Sequence, residues 1–268
     1  MKDISITVGI PFYAETNVKQ LKSAVDSVLN QTRTPEVVHL IQDGYVPEGL
    51  SQVVRDYLSN CSNCEHIELE KVGLSAALNF SIQQANTTYY GRMDADDICF
   101  PERFERQIKF LEENPEIDIL GAWSIEFKKE ADIKKGFLKK LPTEYQELEK
   151  LFHYRNPLIH PTVVFRRTVF KKIGYYNENY LSNQDLELWS RVFRNNIKIT
   201  NLSEPLLYFC TQNVIKRRSS LPSVLRQVKA RYSYNTWSTK LNILKILMLL
   251  SRLTPHYFQK FLYKHFRN

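Results

Sequence analysis

Residues 4–12 read ISITVGIPF, a short run rich in β-branched residues that ends in a proline and a phenylalanine. Such a run is typical of a buried strand that enters a loop. Apolar residues then recur at three- and four-residue spacing over residues 16–30, which predicts a helix with one buried face. A second apolar run, VVHLIQDG at residues 37–44, predicts another strand. The chain therefore begins with a predicted βαβ unit whose strands are parallel.

The alternation of strands and helices continues along the chain. The other predicted strands are residues 66–71, 87–97, 119–128, 160–167 and 197–210. The other predicted helices are residues 50–60, 73–86, 101–114, 147–154 and 185–196. This order predicts an α/β fold with a mostly parallel, Rossmann-like sheet flanked by helices. In such sheets ligands bind at the carboxyl ends of the strands, where Phe12, Asp43 and Asp94 are predicted to lie.

Composition and length favour one main domain with a tail. The chain has 268 residues, of which 43% are hydrophobic and 25% charged, as in ordinary globular proteins. No run reaches the roughly 18–20 apolar residues that a membrane-spanning helix needs, and the N-terminus lacks a signal-peptide cleavage site. We therefore expect a cytoplasmic protein. The four cysteines are too few and too irregularly spaced for a disulfide framework, and we expect them to be unpaired.

The net charge of +8 is concentrated in the last quarter of the chain. After Glu204 there are twelve lysines and arginines and no acid, so the first 204 residues carry a net charge of −4. Residues 241–253, LNILKILMLLSRL, predict an amphipathic basic helix with Lys245 and Arg252 among its leucines and isoleucines. Such a tail binds either nucleic acid or an anionic membrane surface, and the leucine-rich spacing favours the membrane. A solvated helix is the remaining alternative.

Residues 91–104, GRMDADDICFPERF, place three carboxylates within four positions. Asp94 and Asp96 can both reach one hard divalent cation, and Mg²⁺ or Mn²⁺ in such sites usually bridges substrate phosphates. The chain has no P-loop and no G-x-G-x-x-G sequence, so a bound nucleotide would depend on the metal for much of its charge neutralisation. The alternative is a solvated turn that caps the next helix. Asp97 is predicted to take that capping role, ahead of a helix that starts at Pro101.

Five short motifs occur in an order that identifies a family. They are VGIPFYAE at residues 8–15, LIQDG at 40–44, KVGLSAALN at 71–79, GRMDADD at 91–97 and NQDLELW at 183–189. Together they strongly resemble the family 2 glycosyltransferases, which have the nucleotide-sugar-binding GT-A fold. The resemblance implies a GT-A domain over residues 1–210, with a nucleotide-binding half (1–100) and an acceptor half (101–210). Residues 211–268 then form the basic amphipathic helical tail.

The resemblance also implies which residues bind the donor. The residues around the nucleotide base and the ribose would be Pro11, Phe12, Tyr13 and Glu15. Asp43 would accept hydrogen bonds from the base. Asn79 would lie close to the nucleotide, unless it is only a polar helix residue.

At the acidic motif, Asp94 would lie nearer the ribose and Asp96 on a Mn²⁺ or Mg²⁺ ion. Arg92 would either direct positive charge toward the phosphates or lie at the surface. His160 is a candidate third metal ligand or acceptor contact, with a structural histidine as the alternative.

The implied reaction is a displacement at the anomeric carbon of the sugar. The departing diphosphate needs its charge neutralised, and the acceptor hydroxyl needs a general base. In this family the base comes from a Glu-Asp pair before a helix. Here that pair reads Gln184-Asp185, so Asp185 is the implied base. One base without a nucleophile implies inversion, so an α-linked donor gives a β-linked product. Glu187 is predicted to be structural, and Trp189 is a candidate wall for the acceptor sugar.

The family resemblance and the tail together imply the biological role. We expect transfer of a hexose from a UDP-sugar to a saccharide on undecaprenyl diphosphate, in O-antigen or capsule synthesis, at the inner face of the cell membrane. Two other classes remain as alternatives. A nucleotidyltransferase would carry a glycine-rich loop with Arg or Lys after its first strand, which PFYAE lacks. A nucleic-acid-binding protein would explain only the basic tail, so no nucleic-acid partner is expected.

Overall fold

The computed structural model describes residues 4–212, 220–254 and 257. The strands of the first half are β1 (Ile6–Phe12), β2 (Val37–Asp43), β3 (Cys64–Leu69), β4 (Tyr89–Arg92) and β5 (Ile98–Cys99). The helices of the first half are α1 (Val18–Leu29), α2 (Glu48–Asn60), α3 (Leu74–Gln84) and α4 (Arg103–Glu113). Each strand except β5 matches a predicted one, and so does each of these helices, within a few residues at its ends.

The second half is less regular, as its sequence predicts. Its strands are β6 (Ile119–Phe127), β7 (Phe137–Lys139), β8 (Val164–Arg166) and β9 (Ile199–Cys210). Its helices are α5 (Tyr145–Phe152), α6 (Val169–Ile173), α7 (Gln184–Arg194), α8 (Leu221–Tyr232) and α9 (Thr239–Ser251). Three short elements (β5, β7 and α6) were not predicted, whereas α8 and α9 lie within the tail that was predicted to be helical. The strand predicted at residues 160–167 is shorter, because His160–Thr162 form a 3₁₀ turn around Pro161.

The strands form one sheet in the order β3-β2-β1-β4-β8-β6-β9-β5, with β7 paired to β6. The half formed by β3, β2, β1 and β4 is parallel throughout. In the other half β6 and β9 pair in parallel along nine residues, whereas the antiparallel pairs span only two or three. The sheet is therefore mostly parallel, as predicted, and the carboxyl ends of β2, β1 and β4 meet at one edge.

Two apolar cores cover the two faces of the sheet. Helices α1, α2 and α4 pack on one face, where Val25, Val54 and Ile108 are buried among strand residues. Helices α3, α5, α6 and α7 cover the other face. Ala230 of α8 belongs to this second core and is fully buried, so the first helix of the tail packs into the same core as the residues before position 210.

Helix α9 has its apolar and basic residues in an arrangement that the sequence did not predict. Lys245 is buried, and its Nζ donates hydrogen bonds to the carbonyl oxygen of Arg231 and to Oδ1 of Asn235. Burial, with a smaller contribution from the Arg231 charge, lowers the pKa of Lys245 to about 8. The predicted basic character of this helix is therefore not exposed at Lys245. The exposed side of α9 is apolar instead and carries Ile243, Ile246, Leu247 and Leu250.

None of the helices within residues 4–212 and 220–254 is long and apolar enough to cross a membrane.

Candidate active site

The acidic motif lies in the turn between β4 and β5, at the carboxyl edge of the sheet. Asp94, Asp96 and Asp97 each present one carboxylate oxygen here, and these three oxygens lie within 4.8 Å of one another. Carboxylates this close repel one another unless a cation or a proton lies between them. The turn is closed by a hydrogen bond from the Asp97 N–H to the Asp94 carbonyl oxygen at 3.3 Å.

Asp97 has a different structural role from the one predicted. It is completely buried, and its Oδ1 accepts a hydrogen bond of 2.7 Å from the N–H of Cys210 at the end of β9. Helix α4 begins at Arg103, and no side chain caps it. The prediction that Asp97 caps this helix is therefore wrong, because the carboxylate joins the acidic turn to β9.

The buried environment of Asp97 fits a divalent cation. Its Oδ2 is buried and has no hydrogen-bond partner within the described residues. Burial raises the pKa of the Asp97 carboxyl well above its usual range, and the charges of Asp94 and Asp96 add to this effect. A hard cation prefers oxygen ligands of this kind and would relieve the repulsion within the cluster.

Arg92 lies beneath the cluster, and its guanidinium forms an ion pair with the Asp94 carboxylate. Only 3% of the side chain is exposed, which contradicts the surface alternative. Its Nε and Nη1 are buried, and neither has a hydrogen-bond partner in residues 4–212 or 220–254. The arginine thus holds Asp94 and supplies positive charge directly below the three carboxylates.

His160 and Tyr176 connect this region with Asp185. The His160 Nε2 and the Tyr176 hydroxyl are hydrogen-bonded at 2.7 Å, and both side chains are buried. Burial, reinforced by the Arg92 charge, lowers the pKa of His160 well below its usual range, so the ring is neutral at pH 7. Burial raises the pKa of Tyr176; the Arg92 charge opposes this shift and the Asp185 charge adds to it. Arg92 and Asp185 therefore act on the same tyrosine from two sides.

His160 is not part of the acidic cluster that the described residues form. Its ring packs edge-on against Tyr176 and Trp189. The hydrogen bond to Tyr176 and the burial favour the alternative that His160 is a structural histidine.

Trp189 was predicted as a wall for the acceptor sugar, and this prediction is wrong. The side chain has no exposed surface, and its ring stacks on Phe165 with 6.2 Å between centroids. Its position on α7 faces the core and not the solvent. Glu187, which was predicted to be structural, is ion-paired with Arg191 at 2.8 Å.

Asp185 lies in the first turn of α7 and is half-buried. Its Oδ2 accepts a hydrogen bond from Nδ2 of Asn156, a residue that the sequence analysis missed. The preceding Gln184 is buried, and Asn183 adopts a left-handed conformation with φ of 61°. Nothing in the sequence marks Asn156, because the loop that carries it has no distinctive motif.

The carboxyl end of β1 contains one residue that cannot contact a ligand through its side chain. Phe12 is buried in the core of the α1 face, and its ring stacks on His66 at 6.5 Å between centroids. Its predicted contact with the nucleotide base is therefore wrong as far as the side chain is concerned. Pro11 is half-buried, whereas Tyr13 and Glu15 are exposed at the edge of the sheet.

Asp43 and Asn79 both hold neighbouring chain segments. Asp43 Oδ1 accepts hydrogen bonds from the N–H groups of Val72 and Gly73, at 2.7 and 3.0 Å. Gly73 has a φ of 88°, which favours glycine at the start of α3. An ionised carboxylate offers about four acceptor positions, so Asp43 can still accept from a nucleotide base.

The side chain of Asn79 is fully used within the protein. Its Nδ2 donates to the Tyr176 carbonyl oxygen and to Glu178 Oε1, and its Oδ1 accepts from the Tyr176 N–H. Only 6% of the residue is exposed. The structure favours the alternative that Asn79 is structural, because it fixes the segment that carries Tyr176.

The chain matches known proteins in sequence. The model for "Glycosyl transferase family 2" matches residues 7–174. The chain is 31% identical over 267 residues to the UDP-Gal:alpha-D-GlcNAc-diphosphoundecaprenol beta-1,3-galactosyltransferase of Escherichia coli, covering 96% of this chain and 94% of the relative. It is 33% identical over 202 residues to the amylovoran biosynthesis glycosyltransferase AmsE of Erwinia amylovora, covering 75% of this chain and 74% of the relative.

Solved structures share the fold at low sequence identity. TarS 1-349 of S. aureus, in complex with UDP-GlcNAc, superposes with a TM-score of 0.67 at 18% identity, covering 92% of this chain and 72% of that one. The mannosyltransferase PcManGT of Pyrobaculum calidifontis, in complex with GDP-Man and Mn²⁺, gives a TM-score of 0.62 at 15% identity, covering 92% and 69%. The fold is GT-A, as the sequence motifs predict. By its sequence and its fold, this chain belongs to glycosyl transferase family 2.

Proposed function

We propose that the chain transfers a hexose from a UDP-sugar, with inversion, to a saccharide carried on undecaprenyl diphosphate during surface-polysaccharide synthesis. The observation that carries the proposal is the acidic cluster at the carboxyl edge of the sheet, in which Asp97 is buried and Asp94 and Asp96 are half-buried. The galactosyltransferase of Escherichia coli, which aligns over almost the whole chain and acts with UDP-Gal and GlcNAc-diphosphoundecaprenol, supports the donor and acceptor classes. UDP-galactose is therefore the first donor to test.

In this proposal the donor diphosphate lies at Asp94 and Asp96, and the base and ribose lie against Tyr13, Glu15 and Asp43. When bound, a divalent cation at Asp94 and Asp96 would neutralise the charge that develops on the departing nucleoside diphosphate. Arg92 holds the Asp94 carboxylate in place from below. Its buried charge adds to the positive potential at the position of the leaving group.

Asp185 is the proposed general base. Its Oδ1 has no hydrogen-bond partner among the described residues and can accept the proton of the acceptor hydroxyl as that oxygen attacks the anomeric carbon. No second carboxylate in the first turns of α7 competes for this role, because Glu187 is paired with Arg191. Direct attack by the acceptor inverts the anomeric carbon, so an α-linked donor gives a β-linked product.

Purified protein with Mn²⁺, UDP-galactose and GlcNAc-diphosphoundecaprenol is expected to release UDP and form a β-linked disaccharide. UDP-glucose and UDP-GlcNAc serve as competing donors, and anomeric proton couplings of the product report the stereochemistry. An α-linked product would contradict direct inversion at Asp185. UDP release that does not depend on the lipid-linked acceptor would contradict the acceptor class.

The proposal places the protein on the cytoplasmic face of the membrane, held there by its tail. The exposed apolar side of α9 is about half accessible at Ile243, Leu247 and Leu250, and Trp237, before α9, is fully exposed. Lys229 and Lys240 are exposed nearby, and the chain has no acid after Glu204. An apolar stripe beside unopposed cations is complementary to an anionic lipid surface.

Replacing Leu247 and Leu250 by Glu is expected to weaken binding to phosphatidylglycerol vesicles by at least about tenfold, because both side chains lose burial in the acyl region. Sedimentation with vesicles measures the effect. Leu58→Glu is the matched control, since Leu58 is an exposed leucine on α2. Equal loss in the control, or stronger binding to duplex DNA than to vesicles, would contradict a membrane surface on α9.

A further inference from the structure

The position of Asp185 depends on Asn156. Asn156 lies in the loop after α5, 29 residues before Asp185, and donates its Nδ2 hydrogen bond to Asp185 Oδ2. A carboxylate can only accept, so the amide must present its nitrogen to it. This bond occupies one carboxylate oxygen and leaves the other one for a substrate.

The other end of the Asn156 side chain makes no hydrogen bond that would stabilise the fold. Its Oδ1 is buried and has no hydrogen-bond partner among the described residues. A buried amide oxygen without a partner destabilises the folded state. An asparagine here is therefore explained by the hydrogen bond that it donates to Asp185.

Helix α8 holds the loop that carries Asn156. Arg231 of α8 is only 4% exposed, and its Nη1 donates to the carbonyl oxygens of Phe152 and Arg155. The guanidinium also lies over the Phe152 ring, 5.8 Å from its centroid. The backbone at both ends of residues 152–155 is thereby fixed by one side chain of the tail.

The same helix holds the chain on the other side of Asp185. Asn183, two residues before Asp185, donates its Nδ2 to Oγ of Ser223 at 3.0 Å and to the Ser223 carbonyl oxygen at 3.2 Å. Ser223 is buried. Arg226 Nε donates to Oγ of Ser182 at 3.0 Å. Helix α8 therefore contacts both segments that determine where the Asp185 carboxylate lies.

We propose that Asn156 is a positioning residue for Asp185, and that α8 is part of the active site because it fixes Asn156 through Arg231 and Asn183 through Ser223. The inference rests on the proposed function, in which Asp185 is the base. Donor binding does not use these contacts, since the acidic cluster is joined to β9 and Arg92 instead. Loss of the support therefore lowers kcat and leaves the KM for the donor unchanged.

The first test compares Asn156→Ala with Asn156→Asp, using UDP release from UDP-galactose with GlcNAc-diphosphoundecaprenol. Both variants are expected to lose roughly 10- to 100-fold in kcat, as a misplaced catalytic group does, with the KM for UDP-galactose within about twofold. Asp has the size of Asn but cannot donate to a carboxylate. Its charge also repels Asp185, so a wild-type kcat in either folded variant would show a purely structural role and would overturn the inference.

The second test measures the support by α8 without using activity. In Arg231→Met, amide hydrogen exchange in residues 152–156 is expected to accelerate, because two carbonyl oxygens lose their donor. Lys229→Met removes an exposed cation from the same helix and is expected to leave this exchange unchanged. Unchanged exchange in Arg231→Met, or equal acceleration in Lys229→Met, would overturn the role of α8.

The Asp185→Ala variant distinguishes a failure of the proposed function from a failure of the inference about Asn156. A fully active Asp185→Ala variant would refute the proposed base and this inference with it. An inactive Asp185→Ala variant beside a fully active Asn156→Ala variant would refute the inference alone.

Discussion

Asp185→Asn is expected to lower acceptor-dependent turnover by about 10²- to 10⁴-fold, the range that a general base contributes. The amide keeps the shape of the side chain but cannot take the proton of the acceptor hydroxyl. The KM for UDP-galactose is expected to stay within about twofold, because Asp185 lies on α7 and the donor is proposed to lie at the turn after β4. Steady-state kinetics with UDP-galactose and GlcNAc-diphosphoundecaprenol measure both quantities.

Asp56→Asn is the matched control for this substitution. Asp56 is an exposed helix residue on α2, so the same chemical change there is expected to leave turnover unaltered. A circular-dichroism melt of Asp185→Asn identifies any loss of folding. Full turnover in a folded Asp185→Asn variant would contradict the assignment of the base.

The parts of the site that lie within one motif were predictable from sequence. The three carboxylates are neighbours in the chain and follow a strand, so their meeting at the sheet edge follows from local structure. Asp43 ends another strand of the same parallel unit, where it pairs with Leu69 in the β2–β3 register. Predictions of this kind depend on strand order and direction, which the hydrophobic pattern encodes.

Some side chains were assigned the wrong role because that role depends on the direction in which the side chain points. Phe12 and Trp189 are aromatic residues beside a candidate binding site, where such residues pack against either the ligand or the core. Both face the core. Lys245 was predicted as a basic residue of an amphipathic helix, but its place on α9 turns it toward Arg231. Packing of one element on another decides these cases, and no local pattern reports it.

Asn156 and the contacts of α8 were not predictable for another reason. Arg231 binds a carbonyl oxygen 76 residues earlier in the chain, and Asn183 binds a serine 40 residues later. These pairs form only after α5, α7 and α8 have packed. A tail predicted only as a basic amphipathic helix therefore also contains residues that hold the loop after α5 and the start of α7.

Asp96→Asn is the second substitution with a large expected effect. It removes one of the three carboxylates whose ligand oxygens lie within 4.8 Å of one another. Stabilisation of a leaving group by a metal contributes several kcal/mol, and each 1.36 kcal/mol is a factor of ten, so turnover is expected to fall by at least about 100-fold. Calorimetry is expected to show that UDP binding, strengthened by Mn²⁺ in the wild type, no longer responds to Mn²⁺ in the variant.

The stability of the metal-free protein separates this effect from misfolding. Asp97 is buried beside Asp94 and Asp96, and both of their charges raise the pKa of its carboxyl in addition to the effect of burial. Neutralising Asp96 removes one of these repulsions, so the melting temperature without metal is expected to be at least as high as that of the wild type. A destabilising substitution would lower it. An Asp96→Asn variant that binds UDP with the Mn²⁺ dependence of the wild type would show that the cation is held elsewhere.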